Sequence, residues 1–253
     1  VEKPAVSSYD QDLHKLKLLN PYKDARLPLI LQGIERLKEL CADEIPVIGY
    51  VQGPFRHAAM LRGTELLMRE VFKDKENVRK LLDIALDSLI VWGTAVAHAG
   101  ADIIMISDPV SSGDMVSPRL YKEWSLPYTK QLCRAIKKTG VKVFMHICGD
   151  TMDRLEMLAS TEVDGLSLDS KVDFAVAREK LGPEYLLIGN VDPTDPLALG
   201  TPELVYEHCK RVIEQAGLEG HFILSAGCQV PEATPPRNME AMIKAAREVG
   251  SYR

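Results

Sequence analysis

The sequence predicts an α/β protein, a TIM-type (β/α)8 barrel that here lacks its first two strands. Short runs rich in β-branched residues alternate with longer segments of helical periodicity, a pattern typical of parallel strands joined by crossover helices. Each short run also ends in a polar or glycine-containing turn. A barrel gathers such turns on one face, where its active sites lie, whereas a doubly wound sheet uses only the turns near its switch point. The pattern therefore favours the barrel.

Six strands are predicted, two fewer than a closed (β/α)8 barrel contains. They cover residues 45–51, 102–107, 141–147, 165–168, 185–189 and 222–225. The polar N-terminal segment, residues 1–24, is predicted to be irregular. We expect two strands to precede Val1 in the full gene product; the alternatives are an incomplete barrel and a barrel completed by a neighbouring chain. Residues 1–253 are expected to form a single domain.

Helical periodicity between the strands predicts seven helices. They cover residues 26–40, 77–99, 118–138, 151–159, 174–180, 202–216 and 236–248. Two of them begin at Ser117-Pro118 and Thr201-Pro202. At such a start the hydroxyl caps the helix and the proline fits the first turn. The helix starts are therefore well defined by the sequence.

Composition excludes several classes of function. The net charge of −5 and the lack of a clustered basic run argue against a nucleic-acid partner. The apolar runs are too short to predict a membrane-spanning segment, and the first ten residues do not resemble a signal peptide, so we expect a cytoplasmic protein. The five cysteines are an odd number without framework spacing, which predicts free thiols or metal ligands rather than disulfides.

A histidine and a cysteine two residues apart follow the apolar run at residues 141–147. Side chains at positions i and i+2 of a strand share a face, so His146 and Cys148 can reach one metal ion. Cys228 follows another predicted strand and supplies a third soft ligand. One nitrogen and two sulfurs suit Zn²⁺, and three protein ligands leave a fourth position open, as catalytic zinc sites do. The alternative is that the His-x-Cys pair only contributes to packing.

The remaining cysteines and two aromatic residues have no predicted chemistry. Cys41, Cys133 and Cys209 lie in or beside predicted helices and are interpreted as inert, partly buried thiols. Tyr121 and Trp124 lie on a helix and are predicted to belong to the core rather than to a substrate platform.

Three segments carry a resemblance to a known family: HICGD at residues 146–150, AGC at 226–228 and TPPRN at 234–238. Together with ADIIMISDPV at 101–110 and LIGNVDP at 187–193, they resemble the cobamide-dependent methyltransferases of the uroporphyrinogen decarboxylase superfamily. The similarity runs from about Ile45 to the C-terminus. Members of this family have a longer N-terminal part with the first two barrel strands, which agrees with the two strands expected before Val1.

The resemblance implies that His146, Cys148 and Cys228 hold zinc, with the fourth position taken by a substrate atom or an acidic side chain. Asp169 is the candidate acid; alternatively, it caps the following helix or pairs with Lys171. The resemblance also implies a methyl transfer between a corrinoid (methylcobalamin), carried by a partner protein, and a small thiol or methoxylated substrate. Either direction of transfer uses the same ligands. We also consider a homodimer as the assembly.

Further polar residues end strands on the same predicted face. Gln52 and Asp108 are candidates for orienting substrate or a zinc ligand, although Asp108 before Pro109 is also a good turn former. Asn190, a candidate substrate ligand, and Asp192 have the same ambiguity, since Asn-x-Asp-Pro favours turns. His57 is interpreted as a solvated surface residue, with a general-acid role as the alternative.

Two rival functions are considered. Uroporphyrinogen decarboxylation is a metal-free reaction on the same barrel and has no need for a His-x-Cys pair and a distant cysteine. A non-catalytic barrel relative would have no reason to retain all three ligands. The ligand set therefore favours the methyltransferase.

Overall fold

The strands lie where the sequence predicts them. The computed structural model describes residues 4–42, 44–217 and 220–250. Its six strands are β1 (Ile48–Gln52), β2 (Ile103–Ser107), β3 (Lys142–Ile147), β4 (Gly165–Leu168), β5 (Leu186–Val191) and β6 (Phe222–Ala226). They follow one another in the sheet in chain order, and the pairs β1–β2, β4–β5 and β5–β6 are parallel. The predicted α/β fold of the TIM-barrel type is thus confirmed.

Helices precede β1, follow β6 and occupy the intervals between the strands. They are α1 (Tyr9–Asp12), α2 (Leu27–Cys41), α3 (Pro54–Arg62), α4 (Thr64–Lys73), α5 (Lys75–His98), α6 (Pro118–Leu120), α7 (Leu126–Lys137), α8 (Leu155–Ala159), α9 (Phe174–Leu181), α10 (Pro202–Ala216) and α11 (Pro236–Val249). The N-terminal segment predicted to be irregular therefore contains one short helix, α1, followed by a 3₁₀ turn at Leu13–Lys15. The hydroxyls of Ser117 and Thr201 accept the cap hydrogen bonds expected from the sequence.

Helices α3 and α4 lie in a region where the sequence analysis predicted no complete helix. Gly63 separates them at φ +90°, a conformation that glycine adopts without strain. The interpretation of His57 as a solvated surface residue is only partly correct. The residue lies on α3 and is half-buried, and its Nδ1 is 3.1 Å from Oε1 of Gln52.

The predicted continuous helix 118–138 is divided into three parts. A π-helical segment, Tyr121–Ser125, lies between α6 and α7. Pro127 has no N–H to donate to the preceding turn, and a local widening of the helix accommodates this loss. Tyr121 and Trp124 are fully buried, so their assignment to the core is confirmed.

Strand β1 and helix α8 begin later than predicted, each for a local reason. The backbone N–H of Val47 donates to the carboxylate of Asp102 at 2.8 Å, so residues before Ile48 do not extend the ladder. Residues 151–154 form a turn closed by the bond from the N–H of Arg154 to the carbonyl of Thr151 at 3.1 Å. Helix α8 consequently starts at Leu155 rather than at Thr151.

The chain divides into two compact units. The first comprises Val1–Ser111, Val116–Met145 and Thr161–Val163, and the second comprises Ser112–Met115, His146–Ser160 and Asp164–Arg253. In the second unit, side chains of β5, α10, α11 and the turn between β5 and α10 form a core cluster of Val191, Leu197, Val205, Cys209, Ala241 and Ala245. The single domain expected for residues 1–253 stays a prediction.

Helix α5 lies in the first unit and is by length and composition long and apolar enough to cross a membrane. Just over half of its most apolar window, 56%, is buried within the protein. The side chains of Leu81, Leu82, Ala85 and Val96 are fully inaccessible to solvent. A core helix passes the same test, and burial in the first unit accounts for this composition.

Candidate metal centre

Three side chains whose chemistry suits a metal ion meet in the second unit. His146 lies near the end of β3, Cys148 follows that strand, and Cys228 lies two residues after the end of β6. The Nε2 of His146 is 3.1 Å from the Sγ of Cys148, which is 3.3 Å from the Sγ of Cys228. The ligand atoms of all three lie within 4.8 Å of one another. Two residues that are 80 positions apart are thereby brought to one point, as the sequence analysis expected.

The imidazole of His146 is oriented by strand β4. Its Nδ1 lies 3.1 Å from both the carbonyl oxygen and the hydroxyl of Ser167. A carbonyl oxygen accepts only, so Nδ1 carries the proton and Nε2 presents its lone pair to the cysteines. Burial lowers the pKa of His146 and keeps the ring neutral, which is the form that binds a metal.

The donor set fits a zinc ion. The two cysteines do not form a disulfide, because their 3.3 Å separation is far longer than the roughly 2.05 Å of an S–S bond. Tetrahedral coordination at standard bond lengths separates two donor atoms by about 3.5–3.8 Å. The contacts from Cys148 Sγ to His146 Nε2 and to Cys228 Sγ would each have to lengthen by about half an ångström to reach this range. Catalytic zinc sites commonly use three protein donors of this kind and leave the fourth position for water or substrate.

Asp169 lies beside these ligands, but its carboxylate is engaged by other groups. Oδ2 accepts the backbone N–H of Gly149 at 2.8 Å, and Oδ1 accepts the N–H of Lys171 at 3.1 Å. The Nζ of Lys171 bonds instead to Asp114 at 2.7 Å, so the Asp169–Lys171 ion pair considered from the sequence is not the pairing in the structure. Direct coordination of a metal by Asp169 stays a prediction. Its hydrogen bond to Gly149, in the loop that follows Cys148, is present in the structure.

Asn190 and Asp192 organise the turns behind the metal ligands. The buried side-chain amide of Asn190 donates to the carbonyls of Asp169 at 3.0 Å and of Val172 at 2.6 Å. Asp192 accepts the N–H of Thr194 at 2.8 Å, the turn geometry that its sequence favours. The assignment of Asn190 to substrate binding stays a prediction.

The candidates Gln52 and Asp108 belong to the first unit. Asp108 is completely buried after β2; its Oδ2 accepts the hydroxyl of Ser125 at 3.3 Å, and its Oδ1 has no hydrogen-bond partner among residues 4–42, 44–217 and 220–250. Burial raises the pKa of Asp108 to about 6. Gln52 contacts His57, as described above. Roles for both residues in catalysis or substrate binding stay predictions.

Sequence reasoning missed three contributors to the ligand loops: Asp114, Gly149 and Gly227. A Cβ at Gly149, which has φ +84°, would overlap the carboxylate of Asp114. A Cβ at Gly227 would lie 2.6 Å from the backbone nitrogen of Ser170. The two glycines adjacent to the cysteines were a visible signal, because glycine beside a ligand indicates a close backbone approach.

An α/β barrel-type sheet carries one nitrogen and two sulfur donors close together at its strand ends, a donor set that could hold a metal ion. The uroporphyrinogen decarboxylase (URO-D) family model matches residues 1–249. The chain belongs to this family, which confirms the resemblance described from its motifs.

Relatives within the family include corrinoid methyltransferases. The methylcobamide:CoM methyltransferase MtbA of Methanosarcina acetivorans is 35% identical over 237 residues, covering 94% of this chain and 68% of the relative. The uroporphyrinogen decarboxylase of Myxococcus xanthus is 30% identical over 246 residues, with 94% and 68% covered. A solved structure, a methyltransferase from Methanosarcina mazei, superposes with a TM-score of 0.86 at 27% identity and covers 94% of this chain and 69% of that chain.

Proposed function

We propose that this chain carries the zinc centre of a methyltransferase that moves a methyl group between a corrinoid protein and a small thiol or methoxylated substrate. The observation that carries the proposal is the convergence of His146, Cys148 and Cys228, whose ligand atoms lie within 4.8 Å of one another. The similarity to methylcobamide:CoM methyltransferases supports the reaction class.

The chain's own residues prepare this centre for metal binding. Ser167 holds the imidazole of His146 with Nε2 towards the cysteines, which removes the need to reorient the ring on binding. Cys148 and Cys228 are half-buried, so their sulfurs are shielded yet reachable. Zinc at this donor set lowers the pKa of a coordinated thiol and polarises an ether oxygen, which serves transfer in either direction.

The methyl carrier in the proposal is a corrinoid bound to a separate protein. The names of the relatives, methylcobamide:CoM methyltransferases, support such a partner. The odd number of cysteines, five, without the spacing of a disulfide framework supports a reducing compartment, and we propose a cytoplasmic location. Small methyl donors or acceptors complete the set of reactants.

The alternative function is decarboxylation of uroporphyrinogen, which family members at 29–30% identity carry as their name. That reaction gives no reason for a nitrogen and two sulfurs to converge. Metal content separates the two functions. We expect about one zinc per chain after purification without chelator, and less than about a tenth of an equivalent would contradict the methyltransferase.

A pair of cysteine variants tests the role of the centre directly. Cys148→Ser removes one donor and is expected to abolish stoichiometric zinc binding and methyl transfer from methylcobalamin, with little change in the circular dichroism spectrum. Cys41→Ser is the matched control, because Cys41 is a free, half-buried thiol at the end of α2 and outside the metal cluster. Equal methyl transfer by Cys148→Ser and the parent would rule the proposal out.

A further inference from the structure

We infer that Asp169 and Ser170 form a positioning segment that sets the distance between the sulfurs of Cys148 and Cys228. The segment follows β4 and contacts the loops of both cysteines. This inference rests on the proposed zinc centre and deepens it. Asp169 acts in it through the ligand loops rather than as the fourth ligand.

One side of the segment contacts the loop of Cys148. Oδ2 of Asp169 accepts the backbone N–H of Gly149, the residue after Cys148, at 2.8 Å. Across this loop, the N–H of Asp150 bonds weakly to Asp114 at 3.4 Å. Because Gly149 is held at φ +84° between two carboxylates, the direction in which the chain leaves Cys148 is fixed.

The other side of the segment contacts the loop of Cys228. At Gly227, the residue before Cys228, a Cβ would lie 2.6 Å from the nitrogen of Ser170 and 3.2 Å from the carbonyl carbon of Asp169. Real Cβ contacts are not this short, so only glycine allows the two backbones to approach so closely. The N–H of Gly227 also donates to the carbonyl of Val191 at 2.8 Å, which holds the Cys228 loop against the end of β5.

The segment is itself held in place from β5. The amide of Asn190 donates to the carbonyl of Asp169 at 3.0 Å, and the hydroxyl of Ser170 donates to Asp192 at 3.1 Å. The segment is therefore anchored independently of both cysteine loops. A change in its carboxylate or in the space beside Gly227 should alter the separation of the two sulfurs.

Two variants test this from opposite sides. Asp169→Asn weakens the acceptor for Gly149, and Gly227→Ala inserts a methyl group against Ser170; neither changes His146, Cys148 or Cys228. We expect each to weaken zinc binding about 10- to 100-fold, the loss typical when groups that orient metal ligands are removed. The measurement is competition with a chromophoric chelator, together with the absorption spectrum of the Co²⁺-substituted protein.

The Co²⁺ spectrum distinguishes a change in ligand geometry from a general loss of stability, which would leave the positions of the bands unchanged. Thiolate-to-cobalt charge-transfer intensity should keep the value for two sulfurs, while the ligand-field bands shift because the angles change. Matched controls are Asp173→Asn, which removes a nearby capping carboxylate, and Gly33→Ala, where a Cβ has open space. Both controls should bind zinc within about twofold of the parent, a margin well inside the loss expected on altering a positioning group.

The outcomes separate this inference from the proposed function. A parent protein without zinc overturns both. A parent that binds zinc, with Asp169→Asn and Gly227→Ala matching their controls, overturns the positioning role alone. If zinc affinity falls in Asp169→Asn but not in Gly227→Ala, Asp169 coordinates the metal directly, and the positioning role is overturned. If Gly227→Ala fails to fold, unchanged ligand-field bands in Asp169→Asn overturn the inference.

Discussion

The Nδ1 of His146 lies 3.1 Å from the carbonyl oxygen of Ser167, so a backbone group of β4 orients a ligand that β3 supplies. The hydroxyl of the same serine is also 3.1 Å from Nδ1. The ring therefore has a backbone acceptor that no side-chain substitution removes, supplemented by a side-chain oxygen.

Removing the hydroxyl of Ser167 should have only a small effect on zinc affinity. Ser167→Ala keeps the carbonyl and is expected to lower zinc affinity by less than about tenfold, at or below the lower end of the range for orienting groups. His146→Ala removes the ligand itself and should abolish stoichiometric binding. Chelator competition on both variants provides the measurement. A loss in Ser167→Ala as large as that in His146→Ala would show that the carbonyl does not orient the ring.

The close approach of Cys148 and Cys228 predicts a redox difference between metal-free and zinc-loaded protein. At a separation of 3.3 Å, the thiols of Cys148 and Cys228 need only a small approach to form a disulfide. Diamide should oxidise both thiols in the chelator-treated protein, with diamide reduced to its hydrazine and a mass loss of about 2 Da. Zinc-loaded protein should resist. Peptide mapping that finds this disulfide equally in both forms would contradict the prediction.

The buried carboxyl of Asp108 predicts a pH-dependent stability. Its pKa is raised by burial to about 6, so below about pH 4 both folded and unfolded states are protonated and no stability is lost. Between about pH 4 and 6 the unfolded state ionises while the buried carboxyl stays protonated, so stability falls by roughly 2–3 kcal/mol, and the loss is complete once the pH has passed through the folded pKa of about 6. Asp108→Asn should therefore gain stability relative to the parent as the pH rises from 5 to 8.

Urea unfolding at several pH values measures this difference. Asp102→Asn is the control with the opposite sign, because Lys38 and the N–H of Val47 lower the pKa of Asp102 and its charged form stabilises the fold. Its deficit should be present at neutral pH and shrink only as the pH falls through the lowered pKa of Asp102. A constant difference for Asp108→Asn between pH 5 and 8 would show that the carboxyl does not titrate there.

The ion pair beside the Cys148 loop should contribute little to stability. The Nζ of Lys171 lies 2.7 Å from Asp114, but the side chains are 57% and 47% exposed. Exposed pairs of this kind contribute about 0–1 kcal/mol and are screened by salt. Lys171→Met should shift the urea midpoint only slightly, and less at 0.5 M salt than at low salt. A loss above about 2 kcal/mol would indicate a larger role for this pair.

The sequence allowed prediction of the six strands and of the meeting of His146, Cys148 and Cys228, because both depend on local patterns. Apolar runs define β3 and β6, and the His146-x-Cys148 spacing follows from the period of a strand. The π-helical segment before α7 and the partners of Asp169 could not be predicted in the same way. These features depend on contacts between residues that are distant in the chain, such as the hydrogen bond from the N–H of Gly149 to Asp169. The periodicity of the sequence does not predict such contacts.

The distance along the chain between the two sulfur ligands has a consequence for folding. Cys148 and Cys228 are 80 residues apart, and the intervening chain includes three of the six strands, β4, β5 and β6, together with α8, α9 and α10. A metal held by both would close this loop much as a cross-link does, and closing a long loop removes entropy from the unfolded chain. The same ion would therefore stabilise the half of the sheet that lies between the two cysteines in the chain. The melting temperature of the protein would then rise with metal occupancy.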